Sequence, residues 1–387
     1  MSATVNWQRR LPASPQRILI IATRQIGDVL CTTPLMHRAR ELWPAACIDV
    51  LGYDKTMGML VGNPDINEVI ESSEHPKFAE YRSLIKRLFR RYDLAIVTQP
   101  SDRAHLYGLL AARTRVGIVP QARAHNWWKK WLCRHWVVLD YWQRHVVVER
   151  LRLLPPAPSA SLVPPALAAL PHSVQAFIQK APMVVIHATP MWRFKRWPVD
   201  QWVALVIDQL QAGRQVVLTG SASHQDQALN QTIVDRVQQS QAGLIGEVNA
   251  RLLNAAGLLS LGQVASLLKA AQFYVGVDTS ITHLAAACGT RTIALFGATP
   301  PTNFGPWPQN TPVDDQMDSA WQLRGEAMEA SPTGQAIRLQ SRGSVTIVQG
   351  PGQCVPCRKA GCQDRFDSHS DCLDRLPATA IVGLLRS

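Results

Sequence analysis

Several things are missing from this chain. None of its apolar runs approaches the roughly 20 residues needed to span a bilayer, so a helical membrane-spanning protein is excluded. The first 16 residues, Arg9 and Arg10 among them, lack the apolar stretch of a secretory signal, and the cytoplasm is therefore the expected compartment. No GxGxxG follows an apolar strand, so a dinucleotide-binding fold would lack its fingerprint. Negative charge is short in one half only. Residues 1–154 hold 23 Lys and Arg against 13 Asp and Glu, a net of +10, whereas residues 155–387 are nearly balanced at +2. A half so charged suits an anionic surface, whether nucleic acid, acidic lipid or phosphorylated glycan, unless the charge is idle.

With 387 residues, 47% of them hydrophobic, the chain has room for two domains. Its organising stretch is VGVDTSITHLAAACGT, residues 275–290. Phe273, Tyr274, Val275 and Val277 read as a buried parallel strand. Asp278, Thr279 and Ser280 supply a turn and an N-cap, then Ile281, Leu284, Ala285 and Cys288 recur at helical spacing until Gly289 ends the helix. A helix start at the end of a parallel strand suits an anion. Asp278 either takes a sugar or ribose hydroxyl beside that anion or only caps the helix.

RILIIAT, residues 17–23, is another apolar strand, followed by a Gly turn and a helix that Asp28 opens. The carboxylate lies at the carboxyl end of the first strand, where open α/β sheets bind ligands, although an Asp there also serves as a plain cap. Residues 48–53, 66–70 and 93–100 read as further strands, and 81–92 as a basic amphipathic helix. The stretch 125–145 mixes Trp127, Trp128, Trp131, Trp136 and Trp142 with Lys129, Lys130, Arg134 and Arg144. That composition fits an interfacial membrane helix or, equally, a packing helix with buried Trp rings.

LPPAPSASLVPPALAALP, residues 154–171, is the natural linker, dividing the chain into domains 1–160 and 161–387. MVVIHATP begins a second α/β unit, and two such halves imply an inter-domain cleft, a common ligand site. From 298 to 352 the periodic pattern dissolves apart from SVTIVQG. Of the eight cysteines, four are scattered and read as core thiols, while Cys354, Cys357, Cys362 and Cys372 follow C-x2-C-x4-C-x9-C. Such a cluster raises zinc. Its irregular spacing and the lack of a second CxxC favour instead a C-terminal staple of reduced thiols, or of a disulfide formed on isolation, with no metal.

RILIIATRQIGDVLCTTPLMHRARELWP with IDVLGY and GNPDINEVI, then VVIHATP with KRWP, then VGVDTSITHLAAACGT with LFGATPP, resemble the bacterial ADP-heptose glycosyltransferases of family 9, in the same order. The ending CVPCRKAGCQDRFDSHSDCLDRLP is most similar to the heptosyltransferase III branch. The resemblance implies an α/β chain of the GT-B class, two Rossmann-like domains facing across a cleft, the first taking acceptor and the second ADP-heptose. It implies inverting transfer of heptose onto the inner core of lipopolysaccharide on the inner-membrane face. Asp28 matches the catalytic base. Thr189 and Lys195 match positions holding the donor phosphates, Asp278 the acidic residue on the donor sugar, and Thr279 and Ser280 the helix amides at the diphosphate. His283 is structural or reaches the same site. Acceptor-binding residues stay unassigned. No DxD-like motif lies near the donor elements, so neither a catalytic metal nor a cofactor is expected. The partners implied are ADP-heptose, a lipopolysaccharide core and an anionic membrane surface, with no nucleic acid. A nucleotide-sugar epimerase, a glycosyltransferase using another nucleotide sugar, and a nucleotide-sensing or nucleic-acid-binding protein are the competing readings.

Overall fold

Six short strands in the first part of the chain line up as a parallel sheet, its inner strands buried on both faces and its two edge strands on one. The structure, a computed structural model, describes residues 6–121, 126–140, 142–178, 181–314, 316–328 and 336–386. The strands are β1 (Arg17–Ile21), β2 (Cys47–Tyr53), β3 (Glu68–Ser72), β4 (Tyr92–Val97), β5 (Ala112–Val119) and β6 (His135–Val138). Their order is β3-β2-β1-β4-β5-β6 with every neighbour parallel. This is the Rossmann order, in which the chain reverses direction across the sheet between β1 and β4. Helices Thr33–Leu42, Phe78–Leu88 and Asp102–Ala111 make crossovers. Leu19, Ile21, Leu51, Ile70, Leu88, Ala95 and Val97 pack into one core beneath them.

A second sheet repeats the plan. β8 (Met183–His187), β9 (Gln215–Leu218), β10 (Leu252–Asn254), β11 (Phe273–Val277), β12 (Thr292–Phe296) and β16 (Val345–Gln349) take the order β10-β9-β8-β11-β12-β16, all parallel. The switch point here lies between β8 and β11. β15 (Arg338–Arg342) and β14 (Glu326–Ala327) extend the edge antiparallel. Trp202, fully buried, meets Trp197 edge-to-face at 4.6 Å in this unit's core. Helix Ser280–Ala287 ends at Cys288, and Gly289 follows at φ +74°, the left-handed conformation that terminates helices at little cost to glycine.

The chain divides into two compact units, one comprising the residues to Ala166 with Asn310–Ala320, the other Leu167–Gln309 with Trp321 onward. The return of 310–320 to the first unit was not anticipated. It rests on the pairing of β13 (Thr311–Pro312) with β7 (Ser159–Ala160) and on Asp318, which accepts from Arg144 at 3.2 Å and pairs with Arg152 at 3.1 Å. The stretch expected to lack pattern therefore contains β13 to β15, while SVTIVQG, the exception within it, forms β16. β15 is half exposed and polar, so it shows no apolar alternation, and a turn at Gly343 with φ +55° closes the β15–β16 hairpin.

Two further expectations need correction. The basic helix runs Phe78–Leu88, and Tyr92 instead starts β4. The Trp-rich stretch is not one interfacial helix. It is a six-residue helix, Trp127–Leu132, followed by edge strand β6. Lys129 is buried, its Nζ 2.6 Å from Asp102 and donating to the Pro100 carbonyl at 2.7 Å, while Trp128 stacks edge-on against His105. A helix that short cannot keep every ring on one face, so the residues divide between core and solvent. Among the described residues no helix is long and apolar enough to cross a membrane.

Candidate active site

In the first unit, β1 ends at Ile21, and Thr98, just past β4, donates both its backbone N–H and its hydroxyl to the Ile21 carbonyl. The switch point is thereby pinned shut, and the short helix Ile26–Leu30 springs from it. Gln25 occupies the N-cap position without a side-chain cap bond, and Asp28 sits one turn inside. Asp28 is therefore not the helix cap. Its carboxylate is bound instead by two guanidinium groups. Arg150, only 2% exposed, donates to Oδ1 at 2.7 Å and to the Asp28 backbone oxygen at 2.6 Å, and Arg24 Nε lies 3.4 Å from Oδ2. This two-point grip fixes the carboxylate on a backbone that is itself held.

Next to Arg150 in sequence, Glu149 is buried as well. Burial pushes its carboxyl up to about 7, against the lowering effects of the Asp140 amide and of Arg144 and Arg150. It accepts the Asp140 N–H at 2.6 Å. Neither Arg150 nor Glu149 stood out in the sequence. VVVERL reads as an amphipathic helix turn, and nothing in it says that its arginine returns to a residue 122 positions earlier.

In the second unit, three sequence-predicted residues come together at the switch point. Gly276 of β11 is in register with His187 of β8. Asp278 and Thr189 both lie two residues further on, so they leave neighbouring strands at the same level. Thr189 is buried and its hydroxyl has no partner among the described residues. Lys195 ends the 3-10 turn Arg193–Lys195 and places Nζ 2.6 Å from Asp278 Oδ2. Asp278 is 7% exposed. Burial alone would raise its carboxyl, but the charge and hydrogen bond of Lys195, the charge of His283 and a hydrogen bond from Thr299 together hold it below the usual carboxylate range.

Thr279 is the N-cap of helix Ser280–Ala287, its side chain accepting from the Thr282 amide at 3.4 Å. The Thr282 hydroxyl donates to the Val277 carbonyl and contacts the Tyr274 hydroxyl at 2.9 Å, tying the helix start to the strand end. Helix geometry leaves the first-turn amides, Ser280 among them, without intrahelical acceptors. His283, one turn in, is buried and acts electrostatically on Asp278. His187 is buried too; burial lowers its ring to about 4, keeping it neutral, and it bonds Thr219 at 3.0 Å. Thr299, within LFGATPP, is a further partner of Asp278 that no local pattern marks. It reaches the site because β12 neighbours β11.

The chemistry available is therefore a fixed carboxylate in the first unit and, in the second, an ammonium, a free hydroxyl and a helix start around a buried carboxylate. The first can accept a proton; the second can hold an anion with an attached polyol. Asp28 belongs to one unit and the remaining predicted residues to the other.

Comparison with known proteins agrees. The family model for glycosyltransferase family 9 (heptosyltransferase) matches residues 81–317. Lipopolysaccharide heptosyltransferase 3 of Escherichia coli strain K12 is 31% identical over 303 residues, covering 74% of this chain and 84% of its own. Lipopolysaccharide heptosyltransferase 2 of the same strain is 27% identical over 305 residues, with 74% and 84% covered. Among solved structures, E. coli ADP-heptose lps heptosyltransferase II superposes with a TM-score of 0.67 at 21% identity, covering 96% of this chain and 97% of that one. An E. coli heptosyltransferase solved with ADP superposes at 0.61 and 19% identity, covering 96% and 99%. These neighbours are of the GT-B type, and the two Rossmann-like units seen here are its halves. A family match over more than half of the residues, a relative above 30% identity and a shared fold lead to one conclusion: this chain belongs to glycosyltransferase family 9, the heptosyltransferases.

Proposed function

We propose that the chain transfers heptose from ADP-heptose to the inner core of lipopolysaccharide with inversion at the anomeric carbon. The observation that carries this reading is the convergence of Thr189, Lys195 and Asp278 at the switch point of the second unit. In this reading Lys195, the Thr189 hydroxyl and the amides following Thr279 and Ser280 receive the diphosphate of the donor. Asp278 takes a hydroxyl of its sugar, with His283 behind it. The acceptor hydroxyl attacks the anomeric carbon as the carbon–oxygen bond to the diphosphate breaks, and ADP leaves with the electron pair. Asp28 takes the acceptor proton. A carboxylate is a weak base, which suits a late transfer, once the attacking oxygen has become acidic by bonding to carbon. The leaving diphosphate is neutralised by groups already in place, so little reorganisation is needed. The two units divide the labour, acceptor to the first and donor to the second. No cofactor or catalytic metal enters this scheme.

The substrate proposed is lipid-linked, and the first unit offers a surface suited to a cytoplasmic, peripheral place on the inner-membrane face. Trp127 and Trp131 are 68% and 80% exposed, Trp142 is exposed, and the half they belong to carries a net +10. Exposed Trp beside Lys and Arg favours the headgroup region of an anionic membrane. Lys129 and Trp128, turned inward, take no part.

Incubation with a panel of ADP- and UDP-sugars and truncated lipopolysaccharide cores, read by mass spectrometry, tests the reading. A heptose mass increment on the core with ADP-heptose alone is the expected result. Transfer from a UDP-sugar, or donor consumption without any acceptor, would displace it.

A further inference from the structure

The four clustered cysteines, separated by irregular spacings, all line one cavity of about 310 Å³ in the second unit, together with Ala298, Gly352, Asp371 and Arg375. Each is a free thiol. Backbone contacts hold their segments to a common wall. Arg358, beside Cys357, donates its N–H to the Ala298 carbonyl at 2.9 Å, and Cys362 donates its own to the His369 carbonyl at 2.9 Å. Cys372 is wedged beneath the ends of β12 and β16. A Cβ on Gly297 would lie 2.8 Å from its sulfur, and one on Gly350 would lie 2.0 Å from its carbonyl oxygen. Glycine at 297 lets the sulfur approach so closely, and glycine at 350 does the same for the Cys372 backbone. The Asp371 N–H points at Cys362 Sγ from 3.3 Å, the kind of donor that supports a thiolate.

We propose that this cavity binds one thiophilic divalent cation of the zinc class, with Cys354, Cys357, Cys362 and Cys372 as its thiolate ligands. Four sulfurs lining one cavity favour zinc or iron(II) over magnesium or calcium, which take oxygen. Binding draws the sulfurs to about 2.3 Å from the ion and releases the thiol protons to solvent. Cys354 and Cys357 have two residues between them and supply adjacent ligands. A rival donor set lies alongside: Cys362, His369 and Asp371 bring their ligand atoms within 4.8 Å of one another. His369 Nε2 and Asp371 Oδ1 are hydrogen-bonded at 3.0 Å beside Cys362, and in our assignment they remain outside the ion's shell.

The ion would be a staple with a purpose. The segment between Cys362 and Cys372 carries Phe366, which stacks on Trp192 at 4.5 Å, and Ser370, which donates to the Phe194 carbonyl at 2.6 Å. Both contacts support the turn that presents Lys195. Fixing the cysteines fixes that turn.

The test is elemental analysis of the full-length, reduced chain, purified without chelator or metal-affinity resin. Zinc or iron in stoichiometric amount is expected, lost in Cys357→Ser and in the double Cys354→Ser/Cys357→Ser variant but kept in His369→Ala. Because Cys372→Ser disturbs a packed site, Cys372 is read in the parent protein. Alkylation followed by mass spectrometry should find all four thiols protected until a chelator is added, when hydrogen exchange at 192–196 should also rise. Cobalt reconstitution should give the thiolate charge-transfer absorption. A reduced chain that takes up neither zinc nor cobalt overturns the proposal, as does metal kept in the double cysteine variant but lost in His369→Ala.

Discussion

Lys195→Ala separates two roles of one ammonium group. In the structure Lys195 neutralises Asp278, and in the proposed complex it also meets the diphosphate. A charge-assisted hydrogen bond contributes about 1.5–3 kcal/mol, so ADP affinity should fall about 10- to 100-fold. The same change strands a carboxylate that is 7% exposed; removing one member of a buried pair costs about 3–5 kcal/mol. The pH dependence shows the difference. In the parent, the Asp278 carboxyl is held below its ordinary value, so its contribution to stability is present above the unfolded-state value and is lost as pH falls through the folded one. Without Lys195, burial dominates and the folded value moves above the unfolded one. Stability is then greatest in acid and is lost as pH rises. Adding Asp278→Asn to Lys195→Ala removes the buried charge and should restore much of the stability but not the ADP affinity. Urea denaturation at several pH values and calorimetry with ADP measure both quantities. Unchanged ADP affinity in Lys195→Ala would take the ammonium out of the donor site, and an unchanged pH profile would refute the account of Asp278.

Asp28→Asn should lose about 10²–10⁴ in kcat while binding ADP normally; transfer near the parent rate would mean the base lies elsewhere in the first unit. Arg150→Lys keeps the charge but not the fork that reaches both the carboxylate and the backbone oxygen of Asp28, so kcat should fall with KM for donor unchanged, and equal kcat would show that the grip is only structural. Glu149, pushed up to about 7 mainly by burial, favours folding below the ordinary carboxylate range and loses that contribution as pH rises through about 7; Glu149→Gln should flatten the dependence of Tm on pH between about 5 and 8, and a parallel profile would count against it. Co-sedimentation with vesicles should increase with anionic lipid, decrease with salt and weaken in Trp127→Ala/Trp131→Ala, whereas equal binding to neutral vesicles would exclude the surface.

Parallel strands buried on both faces must be apolar throughout, and helices must be capped and stopped. RILIIAT, MVVIHATP and VGVDTSITHLAAACGT state both requirements locally. For that reason the strand ends, the turns after them and two residues at those turns, Asp28 and Asp278, could be read directly. Thr189 and Lys195 were legible only through the resemblance to the family, since neither a threonine past a strand nor a lysine in a short turn has a periodicity to mark it. Polar strands near a sheet edge, such as β15, carry no apolar alternation and went unseen. The division of the Trp-rich stretch into buried Lys129 and exposed Trp131 depended on which neighbour each side chain met, and that is not a local property. The same holds for Arg150, which reaches Asp28 across 122 residues, and for the pairing of β13 with β7. Local sequence fixes where a strand ends and a helix begins because backbone hydrogen bonding and side-chain period act over a few residues. Which charges then face one another inside the protein is set by the sheet order, and desolvation makes those pairings count.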